Sequence, residues 1–218
     1  ISKGLVGSEM CIRDSTLSTL CLLLTLFQYS CQTNAPSKRI TIASSGKVNS
    51  LDPARANTLK ALQLISSLGD TLYELDNDGK LIPKLASKMP VISKDKLKIS
   101  ISLKKNILFH DGTPFDSKAM KFTIERFQRI GTNNYILDKK IKSIETPNKN
   151  TLIINLNKPT SSLEGLLTSV NLTAISPSFY KNHIDKFLNN NFVGTGQYVL
   201  KSFSNEVQIL DPNLNYWD

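Results

Sequence analysis

The sequence has few of the residues that most often carry chemistry: its 218 residues include three cysteines, two histidines and one tryptophan. Three cysteines do not make a disulfide framework, and Cys11 and Cys21 fall in segments that we expect to be absent from the mature chain, which leaves Cys31. Cysteine usage therefore neither requires nor excludes an oxidising compartment. His110 and His183 are far apart in the sequence, and because a metal site needs clustered ligands, no metal is predicted.

Motifs of nucleophilic and phosphate chemistry are also missing. The sequence has no Gly-x-Ser-x-Gly elbow. Gly194-Thr195-Gly196 has neither the Lys-Ser/Thr ending of a P-loop nor the third glycine of a dinucleotide fingerprint, so we interpret its glycines as requirements of backbone conformation. Turn, cap and surface positions account for Asp111, Asp116 and Glu125, and we expect His110 to cap the turn beside Asp111. We therefore predict no enzyme activity and no cofactor.

The net charge of +9 is the one strong bias in composition, and the hydrophobic fraction of 40% is typical of a globular protein. A basic balance can indicate nucleic-acid or anionic partners. Here charges of both signs are scattered along the chain, and no basic stripe is interleaved with aromatic residues. A solvated, lysine-rich surface is the interpretation that we favour, and no nucleic-acid partner is predicted.

The first thirty residues are not expected to belong to the fold of the mature protein. Residues 1–15 show no periodicity, and the run GSEMCIRDS resembles the translation of a sequencing adapter, so we treat 1–15 as an artefact. A genuine signal-peptide n-region that uses Lys3 and Arg13 is the alternative. Residues 16–30 are mostly apolar, shorter than the roughly 20 residues of a bilayer span, and the right size for a signal-peptide core.

Cys31 directly follows Ser30, an order that resembles a lipobox, in which a small residue precedes a cysteine that is lipidated after cleavage. We expect acylation of Cys31 to supply the more than one acyl chain that stable anchoring requires. Secretion with a nearby cut is the alternative. Residues 31–38 continue as a polar stretch with a proline, which predicts a tether.

Residues 39–68 predict the first regular elements. Residues 39–43 alternate in polarity, which predicts a strand. Residues 56–68 predict a helix with Leu59, Leu62 and Ile65 on one face.

The most informative stretch runs from Leu97 to Phe127. Aliphatic residues alternate with polar ones from Leu97 to Leu103, which predicts a half-buried antiparallel strand. A turn follows at 110–114, where glycine and proline supply the backbone geometry. Asp116 then predicts the N-cap of a helix whose apolar residues recur at helical spacing from Met120 to Phe127.

This stretch, LKISISLKKNILFHDGTPFDSKAMKFTIERF, preceded by Leu85-Ala86-Ser87, resembles the signature of the family 5 extracellular solute-binding proteins. These are the peptide, dipeptide and nickel receptors of ABC importers. LDNDGKLIPKLASKM resembles the hairpin and linker of the family, Leu51-Asp52-Pro53 its first loop, and Val193 to Tyr198 its Val-Gly-Thr-Gly-Pro-Tyr segment, with glutamine in place of the proline. The resemblance runs from about Arg39 to Trp217.

The resemblance implies a mixed α+β fold: a periplasmic-binding-protein-like lobe of the class II type with an inserted α/β subdomain. Residues 39–68 and 173–218 would form the first lobe, and 69–172 the inserted subdomain. Relatives continue for about as long again, so we expect a C-terminal lobe to be missing from this sequence. That lobe would carry the groups that pair with the charged ends of a ligand.

The resemblance further implies a lipoprotein of the periplasm or cell envelope that captures a peptide-like solute and delivers it to ABC permease subunits. We expect a monomer that is held to the membrane by its lipid. A receptor for nickel, a metal chelate or another small solute of the same family is an alternative. Alternatives of another class are a secreted hydrolase and a regulator that carries this domain beside a helix-turn-helix.

Ligand contacts carried over from the family fall on Ala56, Asn57 and Thr58, the segment after Leu-Asp-Pro that offers backbone to the ligand. Either Asn57 or Thr58 would also cap the following helix in any fold, and both roles are compatible. Tyr135 lies in a loop that brings an aromatic residue near the ligand in some relatives.

Overall fold

This computed structural model describes residues 41–43, 45–137, 139–160 and 163–218. The artefact, signal peptide, lipidation and tether predictions for residues 1–38, including Cys31, lie outside the described residues. The chain divides into a unit of 1–43 and a unit of 44–218, and all elements below belong to the second. Within the described ranges, no helix combines the length and the hydrophobicity needed to cross a membrane.

The helices are α1 (Leu59–Leu68), α2 (Ser117–Ile130), α3 (Leu163–Leu166), α4 (Pro177–Asn182) and α5 (Asp185–Leu188), with 3₁₀ turns at Asn134–Ile136 and Val170–Leu172. The strands are β1 (Tyr73–Leu75), β2 (Leu81–Pro83), β3 (Val91–Ile92), β4 (Lys98–Ser102), β5 (Ile141–Asn148), β6 (Thr151–Leu156), β7 (Tyr198–Phe203) and β8 (Gln208–Pro212).

The main sheet has four antiparallel strands in the order β3-β4-β6-β5, and β1–β2 and β7–β8 form separate hairpins. In β4, Ile99 and Ile101 are buried while Lys98 is exposed, and the two isoleucines pair with Ile154 and Leu152 of β6. The alternation predicted for this strand is therefore confirmed. The strand predicted at 39–43 is wrong for Thr41–Ala43, which have no regular structure, and Ile42 is exposed. Alternating polarity alone does not make a strand, because a strand forms only by pairing with a neighbour.

Helix α2 forms as predicted. The Asp116 carboxylate accepts a hydrogen bond from the Ala119 N–H at 2.9 Å and so caps the first turn. Met120, Ile124 and Phe127 form a fully buried stripe against the main sheet.

Helix α1 begins three residues later than predicted, with Thr58 as its N-cap. Its buried residues are Ala61, Ile65 and Leu68, an i, i+4, i+7 series that packs as one face. Leu59 lies off that face and is 73% exposed, so the prediction that it shares a face with Ile65 is wrong.

Two hydrophobic cores lie within residues 44–218. The sheet core contains buried residues of β1, β4, β6 and α2 together with the segments around them. The α1 core is smaller. Its buried members are Leu51, Ala56, Ala61, Ile65, Leu68, Ile175, Tyr180, Leu188 and Phe192, and residues of the β7–β8 hairpin pack against it.

A buried ion pair joins α2 to the segment before α1. Both terminal guanidinium nitrogens of Arg126 donate to the Asp52 carboxylate at 2.6 Å, and the two residues are 4% and 0% exposed. The Arg126 guanidinium also lies 5.1 Å from the ring of Tyr180, a member of the α1 core. Burial raises the pKa of the Tyr180 hydroxyl, and the neighbouring Asp52 charge adds to the shift.

Gly194 and Gly196 permit close backbone packing. A Cβ on Gly196 would lie 2.4 Å from the carbonyl carbon of Leu68, and one on Gly194 would lie 2.8 Å from the Leu68 carbonyl oxygen. Neither glycine has a positive φ. The two glycines are therefore not needed for a special backbone conformation, as was predicted, but because neither position has room for a side chain.

Replacing Arg126 by methionine should destabilise the protein by about 3–5 kcal/mol, because it leaves the Asp52 charge buried without a partner. The measurement is urea unfolding followed by far-ultraviolet circular dichroism. Glu125→Gln on the same helix is the matched control, since it removes only the exposed Lys121–Glu125 pair at 3.6 Å and should cost less than about 1 kcal/mol. Equal losses of unfolding free energy in the two variants would contradict the conclusion that the buried Asp52 charge depends on Arg126.

Gly196→Ala should lower the free energy of unfolding by about 1–3 kcal/mol, because the new methyl group meets backbone that has no rotamer to change. Gly165→Ala in α3 is the control, because a Cβ there has nothing within 4 Å. Alanine should be neutral or stabilising at Gly165, where it restricts the unfolded chain. Thermal unfolding of both variants checks the prediction, and an unchanged midpoint for Gly196→Ala would refute it.

Candidate functional site

The segment from Asn49 to Thr58, called the 49–58 loop, contains three of the four residues predicted to meet a ligand. Ala56 is 0% exposed and belongs to the α1 core. Asn57 is exposed, and Thr58 is half-buried at the N-cap of α1, where its hydroxyl accepts from the Ala61 N–H at 3.4 Å. A ligand outside the loop can therefore reach Asn57 and Thr58, whereas Ala56 has no surface to offer it.

Asn49, the first residue of the loop, holds the loop in place through its side chain. Its Oδ1 accepts from the backbone N–H groups of Asn57 and Thr58, both at 3.2 Å, and from the Thr58 hydroxyl at 3.1 Å. Its Nδ2 donates to the Arg55 carbonyl at 3.0 Å. One amide side chain thus satisfies four groups of the loop, using both its donor and its acceptor.

Residues from two other segments hold the opposite side of the loop. Asn171, in the second 3₁₀ turn, donates to the carbonyls of Pro53 at 2.6 Å and Ala56 at 2.9 Å. The backbone N–H of Thr132 donates to the Ala54 carbonyl at 2.8 Å. The loop conformation is therefore fixed by partners from distant parts of the chain.

Tyr135, the fourth predicted residue, is 70% exposed in the first 3₁₀ turn. Three residues earlier, Thr132 is bonded to the 49–58 loop through its N–H and, at 3.3 Å to the Arg55 carbonyl, through its hydroxyl. The structure therefore places the segment that carries Tyr135 against the segment that carries Asn57. It does not bring the Tyr135 ring into a described contact with either Asn57 or Thr58.

His110 is structural, but it does not cap its own turn as expected. Its Nε2 lies 3.1 Å from the Gly196 carbonyl oxygen and so donates to it, and its backbone N–H donates to the Gly194 carbonyl at 2.9 Å. Burial lowers the pKa of His110. Asp111 caps the turn instead, because an aspartate can accept from the backbone two residues on, here from the Thr113 N–H at 3.0 Å.

Asp111 also connects its turn to α4. Its Oδ2 accepts from the hydroxyls of Ser176 at 2.5 Å and Ser178 at 3.0 Å. Partial burial pushes the pKa of Asp111 upward, but the hydrogen bonds from Ser176, Thr113 and Ser178 outweigh burial and hold it below the usual range. An ionised, fully bonded carboxylate in this position has no role as a general acid or base.

Metal ligands are not assembled in the described part of the chain: no group of three or more His, Cys, Asp or Glu side chains could hold an ion there. His183 donates from Nδ1 to the Phe179 carbonyl at 2.8 Å, and its ring stacks on Phe187 with centroids 4.4 Å apart. With His110 bonded to Gly196, both histidines make intramolecular contacts.

A second polar region surrounds Asp70, which sequence reasoning missed. Asp70 is 8% exposed, and its carboxylate accepts from Thr195 at 2.9 Å, Trp217 Nε1 at 3.0 Å and the Tyr216 hydroxyl at 3.1 Å. Burial, with help from the Asp70 charge, raises the pKa of Tyr216 to about 12. A cavity of about 550 Å³ is lined in part by Asp70, Tyr216 and Lys84.

Comparisons with known proteins agree with this fold. The family model described as bacterial extracellular solute-binding proteins, family 5 Middle, matches residues 80–218. The glutathione-binding protein GsiB of Escherichia coli O1:K1 is 29% identical over 170 residues, which cover 77% of this chain and 33% of that protein. The chain thus spans about one third of the length of the curated relatives that it matches.

Two solved structures extend the comparison. Listeria monocytogenes OppA bound to peptide has a TM-score of 0.73 and 23% identity over 80% of this chain and 38% of its own. NikZ from Campylobacter jejuni in complex with Ni(L-His) has a TM-score of 0.73 and 26% identity over 84% of this chain and 37% of its own. The predicted fold class is therefore confirmed, and the match over residues 80–218 shows that the chain belongs to the bacterial extracellular solute-binding proteins of family 5.

Proposed function

We propose that this protein is the solute-capturing subunit of an ABC importer and that it binds a peptide-like solute outside the inner membrane for delivery to permease subunits. The observation that carries the proposal is the 49–58 loop. Asn49, Asn171 and Thr132 hold its backbone in one conformation, while Asn57 remains exposed at its end. A preformed loop binds a ligand with less loss of conformational entropy, which is what a receptor requires.

A binding role fits the chemistry of the described residues better than a secreted hydrolase does. Asp111 and Asp116 are occupied by turn and cap contacts, and His110 is bonded to Gly196. A receptor needs a cleft that closes on its ligand, not an activated nucleophile. A regulator with a helix-turn-helix is also disfavoured, because residues 16–30 look like a signal-peptide core where that module would stand.

Two observations favour a peptide-like solute. The relatives compared above include a glutathione-binding protein and a structure bound to peptide. Both ring nitrogens of His110 lie within hydrogen-bond distance of backbone groups of Gly196 and Gly194, so this buried histidine is not available to a metal complex. A nickel complex is the second candidate, because NikZ with Ni(L-His) is as similar in structure as the peptide-bound relative.

We further propose that residues 39–68 and 173–218 form the first lobe and that 69–172 form an inserted subdomain. Every buried member of the α1 core falls in the first set, which supports this division. Only Ala54 and Ala174 of the buried sheet core fall outside the second. The ligand would then lie between the first lobe and a second lobe. Asn57, Thr58 and Tyr135 would face the ligand, and the buried Ala56 would lie behind them.

The proposed location is the periplasm or cell envelope, with a monomer anchored through lipid on Cys31. The apolar run of 16–30 and the Ser30-Cys31 pair support it. Mass spectrometry of the mature N-terminus tests the lipid anchor, and we expect an acylated Cys31. An unmodified N-terminus at another residue would contradict the anchor and favour secretion with a nearby cut.

The ligand proposal is tested on the full-length gene product, obtained from the same genomic contig. We expect glutathione or a di- to tetrapeptide to raise its melting temperature, since a probe at about 100 times its Kd adds roughly 2.7 kcal/mol to the folded state. Isothermal titration then gives the affinity. A shift with nickel and L-histidine together, and with no peptide, would reject the peptide and favour the second candidate.

A further inference from the structure

Three segments of the chain meet at one end of the main sheet, where β4 begins and β6 ends. The N–H of Leu156 donates to the Leu97 carbonyl at 2.8 Å, which joins the end of β6 to the turn between β3 and β4. The N–H of Asn157 donates to the Lys140 carbonyl at 2.9 Å, which joins the same place to the start of β5. We call residues 93–98, 139–142 and 157–158 the lysine end of the sheet. Its seven lysines are Lys94, Lys96, Lys98, Lys139, Lys140, Lys142 and Lys158.

Few negative charges balance the lysine end. Its sequence contains one acidic residue, Asp95, and Asp138 directly precedes one of its segments. Within the described ranges, no ion pair joins a lysine of this end to a carboxylate, whereas Lys121 in α2 is paired with Glu125 at 3.6 Å. All of these lysines except Lys140 are exposed. The fold therefore gathers into one place a positive charge that looks scattered along the sequence.

The backbone at two of these lysines is unusual. Lys96 and Lys139 have φ values of 58° and 59°, in the left-handed region. Glycine and asparagine adopt this conformation more readily than a residue with a long side chain does. The backbone geometry of these two positions therefore does not account for lysine there, whereas a need for positive charge does.

The neighbours of the lysine end indicate which anionic partner fits it. The edge strand β3 leads directly into it, and Val91 and Ile92 of that strand are 59% and 41% exposed. Lysines beside exposed aliphatic side chains suit the boundary between lipid headgroups and acyl chains. A single-stranded nucleic acid would need aromatic residues on which to stack its bases, and the sequence of the lysine end has none. A second copy of the chain would bring lysine against lysine.

We propose that the lysine end is a docking surface for a membrane that contains anionic phospholipids. The lysine ammonium groups would meet the headgroup phosphates, and Val91 and Ile92 would contact the lipid at the edge of this surface. This role is separate from solute capture and does not depend on which solute is bound. Together with the lipid anchor proposed at Cys31, it would hold the main sheet against the membrane.

The test uses the full-length gene product with Cys31→Ser, so that no acyl chain contributes to binding. Co-sedimentation measures its binding to vesicles of equal parts phosphatidylcholine and phosphatidylglycerol, and to vesicles of phosphatidylcholine alone. The test variant combines Lys96→Gln with Lys142→Gln. The control variant combines Lys105→Gln with Lys149→Gln, which removes the same charge from two exposed lysines outside the lysine end.

The control lysines lie at the opposite end of the same sheet. There the N–H of Leu103, next but one to Lys105, donates at 2.8 Å to the carbonyl of Asn150, which follows Lys149. In the described ranges neither control lysine is in an ion pair with a carboxylate, so the two variants differ in where the charge is lost and not in how much.

We expect binding to the phosphatidylglycerol vesicles and none to phosphatidylcholine alone. Each lysine near an anionic surface contributes about fivefold to binding, so the test variant should bind at least tenfold more weakly and the control variant less than about twofold. Sodium chloride at about 1 M, where the Debye length is about 3 Å, should release the protein. Acetic anhydride should label Lys96 and Lys142 less when vesicles are bound, and Lys105 and Lys149 equally in both states. Circular dichroism should show the same fold in all variants.

Three results would overturn the proposal. The first is absence of binding to the phosphatidylglycerol vesicles, or equal binding to both kinds of vesicle. The second is an equal loss in the two variants with equal labelling of all four lysines, because net charge alone would then explain the attraction. The third is release from the vesicles by a poly-deoxythymidine strand that the protein binds more tightly, which would assign the lysine end to nucleic acid. None of these results bears on solute binding, which is measured separately.

Discussion

Asp52 and Arg126 make two 2.6 Å hydrogen bonds where neither side chain reaches solvent. Charges in such a place are tolerated only when each satisfies the other. Because Asp52 lies in the 49–58 loop, Arg126 in α2 and the stacked Tyr180 in α4, the pair ties together three segments from distant parts of the sequence. This pair fixes the position of the loop relative to the main sheet. The ligand-binding surface proposed at Asn57 and Thr58 depends on that position.

The loop is held with different strength at its two ends. Its base is fixed by the buried ion pair and by the packing of Leu51 and Ala56 in the α1 core. Its tip is held by the exposed side chain of Asn49. The buried base therefore fixes where the loop lies, and the Asn49 contacts complete its conformation at Asn57 and Thr58. Both parts contribute to the preformed surface that a receptor requires.

Local patterns predicted local structure well, as shown by the alternation of β4, the Asp116 cap of α2 and the Thr58 cap of α1. Contacts over long sequence separations were out of reach. The sequence assigned Asp52 only to a loop motif, and nothing in its neighbourhood indicates a partner at Arg126. The contact of His110 with Gly196 and that of Asp70 with Thr195 were missed for the same reason, since these partners lie far along the chain. At the predicted site, residue type was enough to predict an N-cap for α1. That the segment carrying Tyr135 lies against the segment carrying Asn57 could be seen only in the folded structure.

Trp217 is the single tryptophan of the sequence, and its indole N–H is bonded to the buried Asp70 carboxylate. The ammonium groups of Lys104 and Lys84 lie 4.1 Å and 5.4 Å from its ring centroid, so one indole is near a carboxylate and two ammonium groups. Indole emission responds to such local charges, and here all of it originates from one place. The protein therefore carries its own optical probe of the contacts around the Asp70 carboxylate, one that needs no label and is silent about the rest of the chain.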